Sequence, residues 1–249
     1  MVDIHAHILP GLDDGADRMS TAVHMAELAL RSGVTELIAT PHANQRHRFE
    51  NYASPELEEQ FARLQEALRR EKLELKVHLG MEIYATEDMA ELYRRGKLLT
   101  LAGSRYLLME FGFHDDAYYM DRILRSVLAT GVTPILAHPE RYRALQTLPD
   151  FLCEWVRAGV HMQINKGSLT GYFGREPFRL ASTMLRHDLA SFVASDAHRA
   201  DQRTPVLSDA WRWLAKHVSE RRANRLLREN PRRVLADQPL IECDPIDFQ

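Results

Sequence analysis

The sequence predicts an α/β fold in which parallel strands form a closed or nearly closed barrel. Short apolar, β-rich segments alternate with helical patterns almost to the end of the chain. Several of these segments are nearly continuously hydrophobic, which is typical of parallel strands buried on both faces. Seven such segments in a chain of this length favour a barrel over two separate domains, and a doubly wound open sheet is the alternative.

The predicted strands share an apolar, β-rich composition, and the helices between them are delimited by capping signals. Ser54 and Pro55, followed by acidic residues, indicate an N-cap, an N1 proline and an acidic first turn. The predicted strands are 2–8, 37–42, 75–84, 106–111, 133–139, 161–166 and 191–198. The predicted helices are 20–32, one that starts at 55, 86–95, 115–130, 149–158, 175–187, 204–219 and 220–230, the last stopped by Pro231.

Composition limits the class of protein. The 249 residues carry a net charge of −3, with 45% hydrophobic and 27% charged residues, which is ordinary globular usage. We expect one domain over 1–249, with 237–249 as a C-terminal tail. The near-neutral charge argues against a nucleic-acid partner. No apolar segment is long enough to span a membrane and no signal peptide is evident. Two cysteines form no disulfide framework, so we expect a cytoplasmic protein.

Histidines and acids end nearly every predicted strand. Because catalytic groups in barrels of this type cluster at the carboxyl ends of the strands, we expect these side chains to converge on one rim. Burying them without a compensating cation would cost several kcal/mol each. The eight residues are His5, His7, His42, Glu82, Glu110, His138, Asp196 and His198.

The spacing of the first and last of these residues has a geometric meaning. His5 and His7 lie two apart, so on a strand both point to one face, and Asp196 and His198 repeat this arrangement. The first and last strands are neighbours in a closed barrel. Imidazoles and carboxylates without a thiolate are the ligands of Mn²⁺, Fe²⁺ or Zn²⁺. The sequence therefore predicts a metal cluster.

Two further polar pairs lie close to these strands. Asp13 and Asp14 stand in a turn after the first strand, and one of the two is a candidate ligand. Gln163 and Asn165 lie two apart on the sixth predicted strand, where either packing or support of the ligands fits them.

A cysteine-based phosphatase is not predicted. That chemistry needs a histidine before the cysteine and an arginine six residues after it, and neither Cys153 nor Cys243 has this surrounding sequence. Both cysteines are expected to be inert. The phosphate-binding and dinucleotide-binding glycine motifs are also absent from the sequence.

Taken together, seven segments resemble the PHP (polymerase and histidinol phosphatase) superfamily. More narrowly, the chain is similar to the bacterial capsule- and exopolysaccharide-associated tyrosine phosphatases of the CpsB/CapC kind. The segments are DIHAHILPGLDDGA (3–16), IATPH (38–42), GMEI (80–83), YLLMEF (106–111), ILAHPERY (135–142), QINKGSLTGYFG (163–174) and ASDAH (194–198).

The resemblance implies a distorted (β/α)₇ barrel of the PHP type and three metal ions, with manganese as the expected metal and Fe²⁺ or Zn²⁺ as alternatives. The implied ligands are His5, His7 and Asp196 for the first ion, with Glu82 bridging; Glu82, Glu110 and His138 for the second; and Asp14, His42 and His198 for the third.

The resemblance also implies an activity, namely hydrolysis of phosphotyrosine on proteins by a metal-activated water. The implied substrate is a bacterial tyrosine kinase that regulates exopolysaccharide synthesis. Arg141 and Arg203 match arginines of the family's active site. Lys166 and Gly112 depart from the family, where a small residue and a proline are usual.

Other interpretations remain open at this point. A small-metabolite phosphatase acting on compounds such as histidinol phosphate, a nuclease and a non-catalytic, metal-stabilised binding module are the alternatives, and a homo-oligomer is left open. The arginine stripe formed by Arg221, Arg225 and Arg228 is either a solvated helix face or a docking surface for an acidic partner.

Overall fold

A computed structural model describes residues 1–248 and contains the predicted barrel. Seven strand positions follow one another around it, and two of them are each divided into two short strands. The strands are β1 (Val2–Ala6), β2 (Glu36–Ala39), β3 (His42–Ala43), β4 (Lys76–Leu79), β5 (Glu82–Tyr84), β6 (Tyr106–Glu110), β7 (Thr133–Ala137), β8 (His161–Asn165) and β9 (Phe192–Ala194).

The strands form two parallel sheets, in the orders β1-β2-β4 and β3-β5-β6-β7-β8-β9. The break after β2 falls at Pro41, which has no N–H to donate to a ladder. A parallel bridge between Ala6 and Ala197 connects β1 to the segment after β9 and closes the ring. The barrel prediction is therefore confirmed, and the open doubly wound sheet is wrong.

The helices cover the outside of the strands. In the first helix, Ala22, Met25, Ala26 and Ala29 form a buried stripe with helical spacing. The predicted N-cap is present, because the Ser54 hydroxyl accepts a hydrogen bond from the Leu57 amide. The helices are α1 (Met19–Arg31), α2 (Pro55–Arg70), α3 (Met89–Arg94), α4 (Ala117–Leu128), α5 (Arg143–Thr147), α6 (Asp150–Arg157), α7 (Lys166–Leu169), α8 (Arg175–Arg186), α9 (Ser208–His217), α10 (Glu220–Asn224) and α11 (Asn230–Leu235).

Strand β6 shows how the core is arranged. Leu107 and Met109 belong to a large cluster that packs the strands against the helices. Tyr106 and Leu108 point to the other face and join a smaller cluster that includes Val234. Both faces of the strand are therefore buried, as its continuous apolar sequence predicts.

The predicted end of a helix at Pro231 is wrong. A turn of π-helix over Arg225–Glu229 joins α10 to α11, and Pro231 lies inside the first turn of α11. A π-turn widens the helix, so the proline ring does not meet the carbonyl that a regular α-helix would place against it. Similarly, α9 begins at Ser208, later than predicted.

The arginine stripe is not uniformly solvated. Arg225 turns inward, and its guanidinium, like that of Arg222, pairs with the carboxylate of Asp188. Arg221 and Arg228 are exposed. A docking role for this face stays a prediction.

The end of the chain lies against the barrel. Arg105 Nε donates to Asp237 Oδ1 at 3.0 Å, and the Tyr106 hydroxyl donates to the Gln238 carbonyl at 2.7 Å. The single-domain assignment and the tail stay predictions. Within residues 1–248, the structure contains no helix with both the length and the apolar character needed to cross a membrane.

Candidate metal centre

The eight predicted rim residues lie together at the carboxyl ends of the strands, where every one of them is buried. Glu110 is the last residue of β6, and Glu82 is the first residue of β5. His138 and Asp196 follow β7 and β9 with left-handed backbone angles, φ 37° and φ 50°. Non-glycine residues in this conformation are strained and concentrate at functional sites.

His5 of β1, His7 directly after this strand and two carboxylates form the centre of the cluster. The Nε2 atoms of His5 and His7 lie 3.2 Å apart. Glu82 spans this pair, since Oε1 is 3.2 Å from His5 Nε2 and Oε2 is 3.2 Å from His7 Nε2. Asp196 Oδ1 lies 3.5 Å and 3.4 Å from the same two nitrogens. Each carboxylate oxygen of Glu82 therefore faces a different histidine of this pair.

A second group continues from Glu82. Its Oε1 is 3.0 Å from His138 Nε2, and its Oε2 is 3.0 Å from His42 Nδ1. Glu110 lies 2.9 Å from His42 Nδ1 but 3.8 Å from His138 Nε2. The family resemblance assigns His42 to the third ion, but in the structure His42 contacts both carboxylates assigned to the second ion. His138 contacts Glu82 and lies farther from Glu110.

The third group distinguishes the two adjacent aspartates. Asp14 Oδ1 lies 3.4 Å from both His42 Nε2 and His198 Nε2, so Asp14 faces the cluster. Asp13 instead accepts hydrogen bonds from His7 Nδ1 at 2.8 Å and from the His42 amide at 2.9 Å. Its role as support for His7 was not predicted from the sequence.

Gly15 makes this turn sterically feasible. A Cβ atom at this position would lie 2.1 Å from the His7 carbonyl oxygen, so no other residue fits without movement of the backbone. The DDG sequence is therefore more than a surface turn, because it brings Asp13 and Asp14 against the first strand.

The hydrogen bonds around His5 and His7 show that the centre suits a cation. His7 Nδ1 faces Asp13, and His5 Nδ1 faces Gln163 Oε1 at 2.8 Å, so a neutral ring carries its proton on Nδ1. The Nε2 lone pairs then face each other. Glu82 Oε2 and Asp196 Oδ1 are also buried without a hydrogen-bond partner among the described residues. Divalent cations would satisfy all four atoms.

Nitrogen and oxygen donors from these residues form three groups, each compact enough to hold a metal ion. The groups are His5, His7 and Asp196; His7, Asp14, His42 and His198; and His42, Glu82 and Glu110.

The electrostatics keep the carboxylates ionised. Burial alone would raise the pKa of Glu82, but without a metal the positive charge of protonated His5 and His42 holds that pKa well below its usual range. Bound cations would replace these protons and supply the same positive charge. Burial opposes ionisation of Asp196 in the same way, and His5 together with Arg203 lowers its pKa. Ionised carboxylates are what metal binding requires.

The two predicted arginines border the cluster. Arg203 donates from Nη2 to Asp196 Oδ2, and its Nη1 is 3.1 Å from His198 Nε2. Arg141 contacts two aromatic rings, because its guanidinium carbon lies 4.4 Å from the Phe113 centroid and 4.2 Å from the Phe173 centroid. These two contacts, which the sequence did not reveal, favour a position of the guanidinium beside the candidate metal cluster.

A cavity of about 620 Å³ opens above these groups. Its lining includes Asp14, His42, Glu82, Glu110, His138 and Asp196 together with both arginines. The cavity therefore combines a floor of candidate ligands with cationic groups on its walls.

The two departures from the family have local explanations. The Gly112 amide donates to Asp115 Oδ2 at 2.8 Å, a bond that proline could not make. Lys166 Nζ donates to the Val206 carbonyl at 2.7 Å and to Thr204 Oγ1 at 3.2 Å, so it ties down the segment that follows Arg203.

The cysteines lie outside the cavity. Cys153 Sγ is 3.7 Å from the Ile246 carbonyl, and Cys243 contacts Ser191. Burial raises the pKa of both thiols, which disfavours the reactive thiolate. Neither is placed to act as a nucleophile there.

Together, the barrel and its rim define a (β/α)-barrel protein with a candidate multinuclear metal centre. The family model described as "Capsular polysaccharide synthesis, CpsB/CapC" matches residues 1–236, and the chain belongs to this family. The family prediction is therefore confirmed.

Curated relatives match over nearly their whole length. The chain is 33% identical to tyrosine-protein phosphatase YwqE of Bacillus subtilis, over 98% of this chain and 95% of the relative. It is 32% identical to tyrosine-protein phosphatase CpsB of Streptococcus pneumoniae, over 96% and 99%.

Solved structures agree with the sequence comparison. A structure from a study of YwqE from Bacillus subtilis and CpsB from Streptococcus pneumoniae, described as unique metal-dependent tyrosine phosphatases, matches with a TM-score of 0.91 and 32% identity over the full length of both chains. The dihydropyrimidinase of Brevibacillus agri matches at TM-score 0.58 and 11% identity, covering 96% of this chain and 71% of that one, which shows the fold alone.

Proposed function

We propose that this chain is a metal-dependent tyrosine-protein phosphatase of the CpsB/YwqE type. The observation that carries the proposal is the cavity in which a cluster of histidines and acids is bordered by Arg141 and Arg203. The sequence predicted this class of enzyme, and the names of the relatives and of the matching structure support it.

The cluster would hold three ions, with manganese as the expected metal and Fe²⁺ or Zn²⁺ as alternatives, since its donors are nitrogen and oxygen only. Bound cations would supply an activated water and neutralise charge on the phosphoryl group. The proposed ligands are His5, His7 and Asp196 for the first ion, with Glu82 bridging; Glu82, Glu110 and His138 for the second; and Asp14, His42 and His198 for the third.

The protein's own side chains would position the phosphotyrosine. Arg141 and Arg203 present planar guanidinium groups that match the oxygens of a phosphoryl group. Phe113 lines the cavity and is 39% exposed, so it offers a face to the phenyl ring of the substrate. A phenolate leaving group has a pKa near 10 and departs without a dedicated general acid, whereas an alkoxide does not.

The physiological substrate we propose is a tyrosine kinase of the capsule or exopolysaccharide system, in the cytoplasm. The description of the family supports the association with capsular polysaccharide synthesis. A homo-oligomer stays an open prediction.

The test is metal analysis of the purified protein, followed by hydrolysis assays on phosphotyrosine peptides, phosphoserine peptides and histidinol phosphate. We expect metal-dependent activity that is highest on phosphotyrosine. Faster turnover of histidinol phosphate would favour the small-metabolite phosphatase. No activity with any of these substrates in the metal-loaded protein would favour the non-catalytic binding module.

Asp13→Asn is expected to weaken metal binding. The amide retains the shape of Asp13 but loses the charge that orients His7 through Nδ1. Loss of such a supporting partner costs about 10–100-fold in metal affinity or activity. Metal titration is the measurement, and Asp17→Asn is the control because Asp17 lies in the same turn but bonds to Thr21. Equal affinity in Asp13→Asn and the control would contradict the assignment.

Cys153→Ser is expected to leave hydrolysis unchanged, because the attacking group is water and not a thiolate. Cys153 lies against the C-terminal segment, outside the cavity. The measurement is kcat/KM on a phosphotyrosine peptide. Loss of activity in a well-folded variant, or a trapped phosphocysteine, would reverse this prediction.

A further inference from the structure

The loop formed by residues 44–49 makes one wall of the cavity and is anchored to the metal cluster. Its ends are joined by reciprocal backbone hydrogen bonds between Gln45 and Phe49, at 2.9 Å and 2.8 Å. Gln45 Nε2 donates to Glu110 Oε1 at 2.7 Å. The Phe49 ring stacks on His42 with a centroid distance of 5.5 Å and an interplanar angle of 7°. These contacts fix the position of the loop relative to the cluster.

Two arginines project from this loop, and both line the cavity. The side chains of Arg46 and Arg48 are 60% and 64% exposed. Arg46 Nη2 lies 2.6 Å from Asp88 Oδ2, and Arg48 Nη2 lies 3.5 Å from Asp14 Oδ2. A guanidinium carries five N–H donors, so both retain donors for another anion.

Arg46 is separate from the pair that borders the cluster, and in the described residues Arg48 contacts the cluster only through Asp14. Arg141 and Arg203 both lie close to Asp196, whereas Arg46 bonds to Asp88 at the start of α3. Because Arg46 and Arg48 line the same cavity as the candidate ligands, a phosphotyrosine whose phosphoryl group reaches the cluster would bring its neighbouring residues close to this wall. The guanidinium groups on this wall are suited to binding carboxylates.

We propose that Arg46 and Arg48 form a subsite for acidic residues flanking the phosphotyrosine of a protein substrate. This inference rests on the proposed phosphatase function. Exposed ion pairs are individually weak, so the subsite should favour a peptide with glutamate on both sides of the phosphotyrosine by about three- to tenfold in kcat/KM. The preference should appear mainly in KM, because these contacts do not touch the reacting atoms. It should decrease at high salt.

The experiment uses the metal-loaded, full-length protein and three peptides that differ only in the flanking residues, which are glutamate, glutamine or lysine. Wild-type protein should prefer the glutamate peptide, and the ratio of kcat/KM for glutamate over glutamine should approach one in Arg46→Gln. Arg46→Glu should reverse the order toward the lysine peptide, an effect that a purely structural role would not produce. Arg63→Gln, which changes an exposed arginine of α2, should retain the wild-type ratio.

The outcomes separate the two proposals. Equal rates on the three peptides by the wild type, or an unchanged preference in both Arg46 variants, would overturn the subsite alone. Within residues 1–248, Arg46 pairs with Asp88 and with none of the proposed ligands, so its variants should keep the metal content of the wild type, which is measured beside the kinetics. Failure of the wild type to hydrolyse any of the peptides or p-nitrophenyl phosphate would overturn the phosphatase function and the subsite together.

Discussion

Glu82→Ala is expected to abolish phosphotyrosine hydrolysis and to reduce the metal content of the protein. Its two carboxylate oxygens lie within 3.2 Å of ring nitrogens of four histidines, His5, His7, His42 and His138. Its removal would leave these groups without their shared anion. The measurements are kcat/KM and metal content per chain.

Two variants accompany this test. His138→Ala should also abolish hydrolysis, because its Nε2 contacts Glu82 at 3.0 Å. Glu58→Gln changes an exposed acid of α2 and should retain full activity and full metal content. Near-normal hydrolysis by a folded Glu82→Ala protein, with folding checked by circular dichroism and thermal unfolding, would refute the proposed metal centre.

Arg141→Ala and Arg203→Ala are each expected to lower kcat/KM by about 10²–10³-fold, the usual cost of losing a preorganised contact to charge in the transition state. Lysine should restore only part of the activity, because one ammonium group cannot reproduce a bidentate guanidinium. The contacts of Arg141 with Phe113 and Phe173 strengthen this expectation, since a lysine could still place its charge against these rings but would lose the planar fork.

The arginine prediction requires that the metal remain bound. Arg203 donates to Asp196, so metal content must be measured beside the kinetics. Arg63→Ala is the matched control at an exposed arginine. If both arginine variants retain near-normal kinetics at full metal content, the proposed phosphoryl contacts are wrong. Faster hydrolysis of phosphoserine than of phosphotyrosine would instead contradict the specificity.

Some features were predictable because they depend on local rules. Ser54 caps α2 as predicted, since an N-cap hydroxyl and an N1 proline act within one turn of helix. Pro41 carried a signal that the strand prediction for 37–42 did not use, because proline interrupts a ladder. At Pro231 the local rule failed. A proline predicts the end of a helix, but the π-turn before it lets the helix continue.

The sequence by itself determined the barrel, the family and the set of side chains at its rim. Parallel strands buried on both faces require apolar residues, so the few histidines and acids at their ends were visible against that background. Tertiary structure alone decided that Asp13 supports His7, how His42 is shared between groups, and what surrounds Arg141. These contacts join segments far apart in the chain, and their geometry depends on how the closed ring and its loops pack. No spacing within a single segment encodes that arrangement.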